Sequence, residues 1–108
     1  MIEPGPVVIA SFVGAVTTKI RPVVVLASPT YQQHRPDLII GLLTSRRPSP
    51  LTPLDHALLD WTQANLAMPT YFRCYLGMCR AVAVRPVGRL SPRDWAAVQA
   101  CLRRAVIA

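Results

Sequence analysis

The chain of 108 residues is long enough for one small domain, and with 52% hydrophobic and only 16% charged residues it does not have a disordered composition. Its net charge of +7 rests on twelve basic residues, all of them arginine except Lys19. Because guanidinium groups bind phosphate through paired hydrogen bonds, the expected partners are RNA, DNA or an acidic protein. The arginine codons of a GC-rich genome explain the charge equally well. We expect a single domain over residues 1–108.

The cysteines and histidines argue against a disulfide framework and against a metal site. They are Cys74, Cys79, Cys101, His34 and His56. Three is an odd number of cysteines, and their spacing fits no zinc motif, so we expect reduced thiols and neither metal nor cofactor. The longest apolar run covers residues 23–27, far short of the ~20 that a membrane helix needs. With no leader segment in view, a soluble cytoplasmic protein without membrane contact is expected.

Eleven prolines divide the chain into short segments, a pattern that favours β-strands over helices. The predicted strands cover residues 7–12, 21–28, 37–44, a short stretch within 56–66, residues 70–76, and a last strand around 81–84 within 78–89. The predicted loops cover residues 13–20, 29–36 and 45–53. The second and third strands are continuous apolar runs, which predicts central strands covered on both faces.

The last part of the chain predicts a helix that begins after Ser91. A hydroxyl residue followed by Pro92 is a helix start, and Asp94 lies three residues after the cap. Apolar residues then recur at helical spacing, at Trp95, Val98, Leu102 and Val106. This helix therefore has one face to pack against the sheet.

Four sequence segments in this order resemble the MazF/PemK family of bacterial toxins from toxin–antitoxin pairs. They are Gly5 before the first strand, an Arg-Pro and aliphatic run over residues 19–26, a strand end over 42–45, and a helix entry over 87–91. The resemblance implies a mainly β fold, a small SH3-like barrel with a C-terminal α-helix. It also implies a homodimer, a cognate antitoxin, and metal-independent, sequence-selective cleavage of single-stranded RNA.

The family's catalytic arginine and threonine fall on Arg21 and Thr44. Without a metal, RNA cleavage proceeds by attack of a 2′-hydroxyl on the neighbouring phosphorus, so charge on the phosphate oxygens must be stabilised. A guanidinium suits that role better than proton transfer, because its pKa exceeds ~12. The general base stays open, with His34 and His56 as the alternatives. The competing interpretation of Arg21 is a surface ion pair with Asp37 or Asp60.

RNA contact is predicted for residues that neighbour this pair: Lys19, Ser45, Arg46, Arg47 and Arg73. The alternative for these arginines is a solvated face. Three aromatic residues, Tyr31, Tyr71 and Phe72, are weighed as stacking partners for unpaired bases, against a core position for Phe72 and a loop position for Tyr31.

Two further functions stay open. The chain departs from the family pattern at Gly5-Pro6 and over residues 77–80, so the first alternative is a catalytically inactive barrel that binds a partner protein or nucleic acid. The second is a gyrase poison on the same fold. The tail at residues 105–108 has no acidic or aromatic anchor for such a target.

Overall fold

The computed structural model describes residues 5–13 and 18–107, apart from the side chains of residues 12, 13, 18 and 19. The elements in chain order are β1 (Pro6–Val13), β2 (Thr18–Val25), α1 (Pro29–His34), β3 (Asp37–Thr44), β4 (Asp55–Ala57), β5 (Tyr71–Arg80), a 3₁₀ turn (Ala81–Ala83), β6 (Arg85–Arg89) and α2 (Pro92–Val106). Of the predicted loop at residues 13–20, residues 14–17 lie outside the described residues, whereas Val13 belongs to β1 and residues 18–20 belong to β2.

The strands form one antiparallel sheet in the order β4-β5-β3-β2-β1-β6. The mainly β fold with a C-terminal helix is therefore confirmed. The sheet is not closed into a barrel, because β4 and β6 stand at its two edges and do not pair with each other.

The central strands are covered on both faces, as their continuous apolar runs predict. Val23, Val24 and Val25 are all 0% exposed, although alternate side chains of a strand point to opposite faces. Val24 belongs to a core that includes Val98 of α2, whereas Val23 and Val25 belong to a second core on the other face. Burial on both faces fixes the register of these strands, because a slip by one residue would exchange the two sets.

Two predicted elements are wrong in type or place. Residues 29–36, predicted as a loop, contain the helix α1, capped by the Ser28 hydroxyl that accepts a hydrogen bond from the Tyr31 amide at 3.1 Å. Residues 81–84, predicted as a strand, hold the 3₁₀ turn, and the strand follows as β6. Pairing with β1 places β6 at the sheet edge, where Pro86 is tolerated in a strand.

Strand and helix bounds differ less elsewhere. β2 begins and ends three residues before the predicted 21–28, and β5 extends four residues beyond the predicted 70–76. The helix α2 begins as predicted, with the Ser91 hydroxyl accepting a hydrogen bond from the Asp94 amide at 3.3 Å. Its apolar stripe is buried at Val98 but 59% exposed at Val106, so the last turn runs past the sheet.

The three cysteines, Cys74, Cys79 and Cys101, are free. Burial raises the pKa of each thiol above its ordinary value. The thiols are therefore held in their neutral form at pH 7, as small apolar side chains packed beside the two cores.

Candidate functional site

The pairing of β2 with β3 brings Arg21 and Thr44 together. In that register Val23 stands opposite Leu42, and continuing it by two residues places Arg21 opposite Thr44. Directly opposed residues of an antiparallel pair project from the same face. The two residues, 23 positions apart in sequence, accordingly line the same two pockets.

The first of these pockets is mostly apolar. It has a volume of 370 Å³, and Leu66 and Met68 face Arg21 and Thr44 across it. Ser45, one of the predicted RNA contacts, lies on its rim and is exposed. Apolar walls reduce access of water, and this strengthens electrostatic contacts made by the Arg21 guanidinium.

The second pocket is lined by four arginines. It has a volume of 600 Å³, and Arg46, Arg47 and Arg73 share it with Arg21 and Thr44. The structure thus brings together three of the five predicted RNA-contact residues with the predicted catalytic pair. The backbone of Lys19 lies in β2 beside them, and its side chain is outside the described residues.

The Thr44 hydroxyl is oriented by the start of the loop that follows β3. Its oxygen accepts a hydrogen bond from the Arg46 backbone amide at 3.1 Å. With that lone pair engaged, the hydroxyl can donate its own hydrogen to an acceptor in the pocket. A phosphate oxygen is such an acceptor.

Arg21 has no carboxylate within ion-pair distance among the described residues. Asp60 is held by Arg93, whose Nε and Nη2 atoms donate to its two oxygens at 2.7 Å each. Asp37 lies at the other end of β3 from Thr44, about 23 Å along the strand. The Nε atom of Arg21 is buried and has no hydrogen-bond partner within the part of the chain that the structure describes. The geometry therefore favours a guanidinium that is available to bind an anion over the competing interpretation, in which Arg21 forms a surface ion pair.

Arg73 differs from the other three arginines of the second pocket, because a carboxylate lies within ion-pair distance of its guanidinium, although its Nε atom, like that of Arg21, has no hydrogen-bond partner among the described residues. Its Nε atom lies 3.6 Å from Oδ1 of Asp55, a carboxylate whose side chain is 5% exposed. Its Nη2 atom donates to the Tyr75 hydroxyl at 3.3 Å, and its guanidinium carbon lies 4.7 Å from the centre of that ring. Tyr75 was not among the predicted site residues, although it lies two residues after Arg73 on β5.

The aromatic residues weighed for stacking are distributed over three surroundings. Phe72 is 0% exposed within the core next to α2, and Tyr31 packs against the second core. Tyr71 is half-buried, with the Arg47 guanidinium carbon 5.9 Å from its ring centre. Of the three, Tyr71 therefore lies beside the arginine pocket.

Neither histidine lines the two pockets. His56 is hydrogen-bonded through Nε2 to Oδ1 of Asp94 at 2.8 Å, and His34 on α1 shares its Nδ1 with the Thr30 carbonyl at 3.0 Å. Both rings are thus engaged within the protein. Across the described residues no three His, Cys, Asp or Glu side chains meet as a metal-binding group.

Asp94 is the buried residue whose role the sequence did not indicate. Its carboxylate is 0% exposed and accepts hydrogen bonds from the Leu59 and Asp60 amides, at 2.9 and 2.8 Å, besides His56. Burial acts to raise its pKa, but the hydrogen bonds outweigh burial and the pKa is lowered. Asp94 was predicted only as a residue of the first helical turn, three positions after the cap; its side chain also fastens the segment after β4 to α2.

Asp60 continues this connection at the surface. Hydrogen bonds from Arg93 and then from Ser91 lower the pKa of its carboxyl to about 2. The segment that starts at Asp60 leads to Leu66 and Met68 in the wall of the first pocket. The contacts of Asp94 and Asp60 therefore help to position that wall relative to Arg21 and Thr44.

The fold is shared with bacterial toxins. An endoribonuclease in complex with its cognate antitoxin from a mycobacterial species is similar with a TM-score of 0.79 and 15% identity, covering 98% of this chain and 95% of that chain. The Mycobacterium tuberculosis toxin MazF-mt6 matches with a TM-score of 0.72 and 19% identity, over 93% of this chain and 94% of that chain. A MazE–MazF structure from Deinococcus radiodurans matches with a TM-score of 0.72 and 15% identity, over 97% and 95%.

The family model of the PemK-like, MazF-like toxins of type II toxin–antitoxin systems matches residues 3–106. The chain belongs to this family, and the resemblance seen in the sequence is confirmed. A comparison with curated proteins finds no match. Among the described helices, none is long and apolar enough to cross a membrane.

Proposed function

We propose that this protein is the toxin of a type II toxin–antitoxin pair and a metal-independent endoribonuclease that cuts single-stranded RNA at preferred sequences. The observation that carries the proposal is the shared position of Arg21 and Thr44. Both line an apolar pocket and an arginine-lined pocket at once. A phosphodiester lying between the two pockets would meet a guanidinium and a hydroxyl donor together.

In the proposed mechanism the 2′-hydroxyl of the RNA attacks the neighbouring phosphorus and loses its proton to water. The bond to the 5′-oxygen breaks and that oxygen takes up a proton from water, which leaves a 2′,3′-cyclic phosphate and a 5′-hydroxyl end. Negative charge grows on the non-bridging oxygens in the transition state. Arg21, whose Nε has no hydrogen-bond partner among the described residues, stabilises that charge, and the Thr44 hydroxyl donates a hydrogen bond to the same phosphate. The proposal assigns neither His34 nor His56 to proton removal, because neither lines a pocket.

Residues around the reacting phosphate hold the rest of the strand. Arg46 and Arg47 have no carboxylate within ion-pair distance among the described residues, so their charge is available for flanking phosphates. Lys19 and Ser45 are assigned to the same strand, next to Arg21 and Thr44 in sequence. This arrangement favours an extended single strand, whose phosphates are accessible without a groove.

The partners proposed are a cognate antitoxin and a second copy of the chain. Structures of the same fold include complexes with an antitoxin. The surface of this chain carries exposed apolar side chains, with Ile20, Met78 and Val82 at 76%, 52% and 90% exposure. Such side chains are suited to cover by another protein. The proposal takes residues 1–108 as one domain acting in the cytoplasm.

Cleavage of a long single-stranded RNA in the presence of EDTA tests the proposal. The purified chain, free of antitoxin, is expected to produce discrete ends without added metal. Arg21→Ala and Thr44→Ala are each expected to lower the rate about 100-fold or more, the usual cost of removing one donor to a charged transition state.

Two control variants make the result specific. Thr44→Ser keeps the hydroxyl and is expected to retain most of the rate that Thr44→Ala loses. Arg103→Ala removes the same charge as Arg21→Ala from an exposed position on α2 and is expected to cut like the unmodified chain. Binding of RNA without any cuts would refute the proposed nuclease activity and would leave the alternative function, a catalytically inactive domain that binds nucleic acid.

A further inference from the structure

Arg73 lies on β5 and forms a flat, preorganised surface together with its neighbour Tyr75. We propose that Arg73 and Tyr75 form a base-stacking subsite that takes one unpaired base of single-stranded RNA beside the phosphate held by Arg21. The inference rests on the proposed function and adds to it a determinant of where the RNA is held. Three features of the structure support it.

The first feature is the way the Arg73 guanidinium is fixed. Asp55 lies 3.6 Å from its Nε atom and forms an ion pair with it, and the Tyr75 hydroxyl accepts a hydrogen bond from its Nη2 atom at 3.3 Å. Asp55 is itself fixed, because it accepts hydrogen bonds from the amide and hydroxyl of Thr52 at 2.9 and 3.0 Å. Because Asp55 neutralises its charge, the Arg73 guanidinium attracts a phosphate less strongly than Arg46 or Arg47 does. Its flat face can still stack on a base.

The second feature is a local irregularity in β5 that displays Tyr75. Leu42 pairs with Arg73, whereas Gly41 pairs with Leu76, so Cys74 and Tyr75 have no partner residue on β3. Extra residues of this kind bend a strand and re-aim its side chains. Tyr75 is 54% exposed, which leaves much of its ring open to solvent. An exposed aromatic ring beside basic residues is the platform that single-stranded nucleic acid uses.

The third feature is continuity with the proposed reacting site. Arg73 lines the same pocket as Arg21, Arg46 and Arg47. In the other arginine–tyrosine pair, Arg47 with Tyr71, the ring belongs to a residue four positions before Tyr75 on β5, about 13 Å along an extended strand. Tyr71 is half-buried, so the more accessible stack is the one at Tyr75. An RNA strand held by Arg21 in this pocket can therefore also contact Arg73.

The test measures binding of a short uncleavable 2′-O-methyl RNA, chosen for its affinity for the unmodified chain, with single abasic positions introduced one at a time. Tyr75→Ala is expected to weaken binding about tenfold, whereas Tyr75→Phe retains the ring and most of the affinity. One abasic position is expected to cost the unmodified chain about tenfold and Tyr75→Ala almost nothing. That loss of additivity identifies the stacked base.

Two controls separate stacking from a general effect on the strand. Val106→Ala changes an exposed residue in the last turn of α2 that lines neither of the two pockets, and is expected to bind as the unmodified chain does. Arg73→Lys keeps the charge but not the plane, and is expected to weaken binding in the same abasic-sensitive way as Tyr75→Ala. Unchanged affinity in Tyr75→Ala, or an equal abasic loss in both proteins, would overturn the subsite. Because the RNA cannot be cut, that outcome is independent of whether Arg21 and Thr44 cleave.

Discussion

The salt dependence of RNA binding tests which arginines of the second pocket contact phosphate. Arg21, Arg46 and Arg47 have no acidic partner among the described residues, whereas Arg73 lies against Asp55. Each phosphate neutralised on a single strand contributes about 0.7 to the slope of log affinity against log salt. Three such contacts give a slope of about −2. The affinity is then expected to fall about 20-fold between about 50 and about 200 mM salt.

Replacing Arg46 and Arg47 together by alanine removes two of these contacts. The slope is expected to flatten to about −0.7, which corresponds to only about a threefold loss over the same salt range. Fluorescence anisotropy with a labelled 2′-O-methyl RNA, which cannot be cut, measures both slopes directly.

The adjacent pair Arg103 and Arg104 supplies a matched control on α2. Both residues are exposed, and replacing them by alanine removes the same net charge from a different surface. That double variant is expected to keep the slope of about −2. An unchanged slope after replacement of Arg46 and Arg47, or equal flattening in the two double variants, would refute their assignment to phosphate contacts.

Two further predictions concern the carboxylates that fasten the wall of the first pocket. Asp94→Ala is expected to lower the free energy of unfolding, measured in urea, by about 3 kcal/mol or more. Three donors, among them His56, each lose an acceptor worth about 1 kcal/mol or more. A loss below about 1 kcal/mol contradicts the role of Asp94 as a shared acceptor. Arg93 lowers the pKa of Asp60 to about 2, so the ionised carboxylate stabilises the fold at any pH above its ordinary pKa. That stabilisation is lost as the pH falls from about 4 to about 2. Urea unfolding over that range is expected to be less pH-dependent in Asp60→Asn, and identical pH dependence would exclude this contribution.

Much of the fold follows from local patterns in the chain. The apolar runs predict β2 and β3 as buried central strands, and Ser91-Pro92 predicts the start of α2. The same cap signal, a serine before a proline, stands at Ser28 and Pro29 and indicates the missed helix α1. The position of β6 could not be predicted from local patterns, because Arg85 and Pro86 have weak strand preference. Pairing with β1 determines where this strand lies.

The residues of the candidate site also divide into those that the sequence predicted and those that only the structure revealed. Arg21 and Thr44 were found through the family resemblance, and Arg46 and Arg47 through their place after Thr44. Tyr75 and Asp55 were missed, because each acquires its role only through a contact with Arg73 across or along the sheet. No sequence pattern reports which charge is already neutralised by a neighbour.

The sequence by itself determined a mainly β chain with a capped final helix, a strong positive charge, and the family to which the chain belongs. These properties depend on composition, on local backbone preference and on short motifs, which act within a few residues. The tertiary structure alone decided that Arg21 faces Thr44, that Asp94 is a buried acceptor, and that Arg73 is held against Asp55 and Tyr75. Each of these depends on strand register and packing between distant segments, where the burial of two opposite faces selects one alignment.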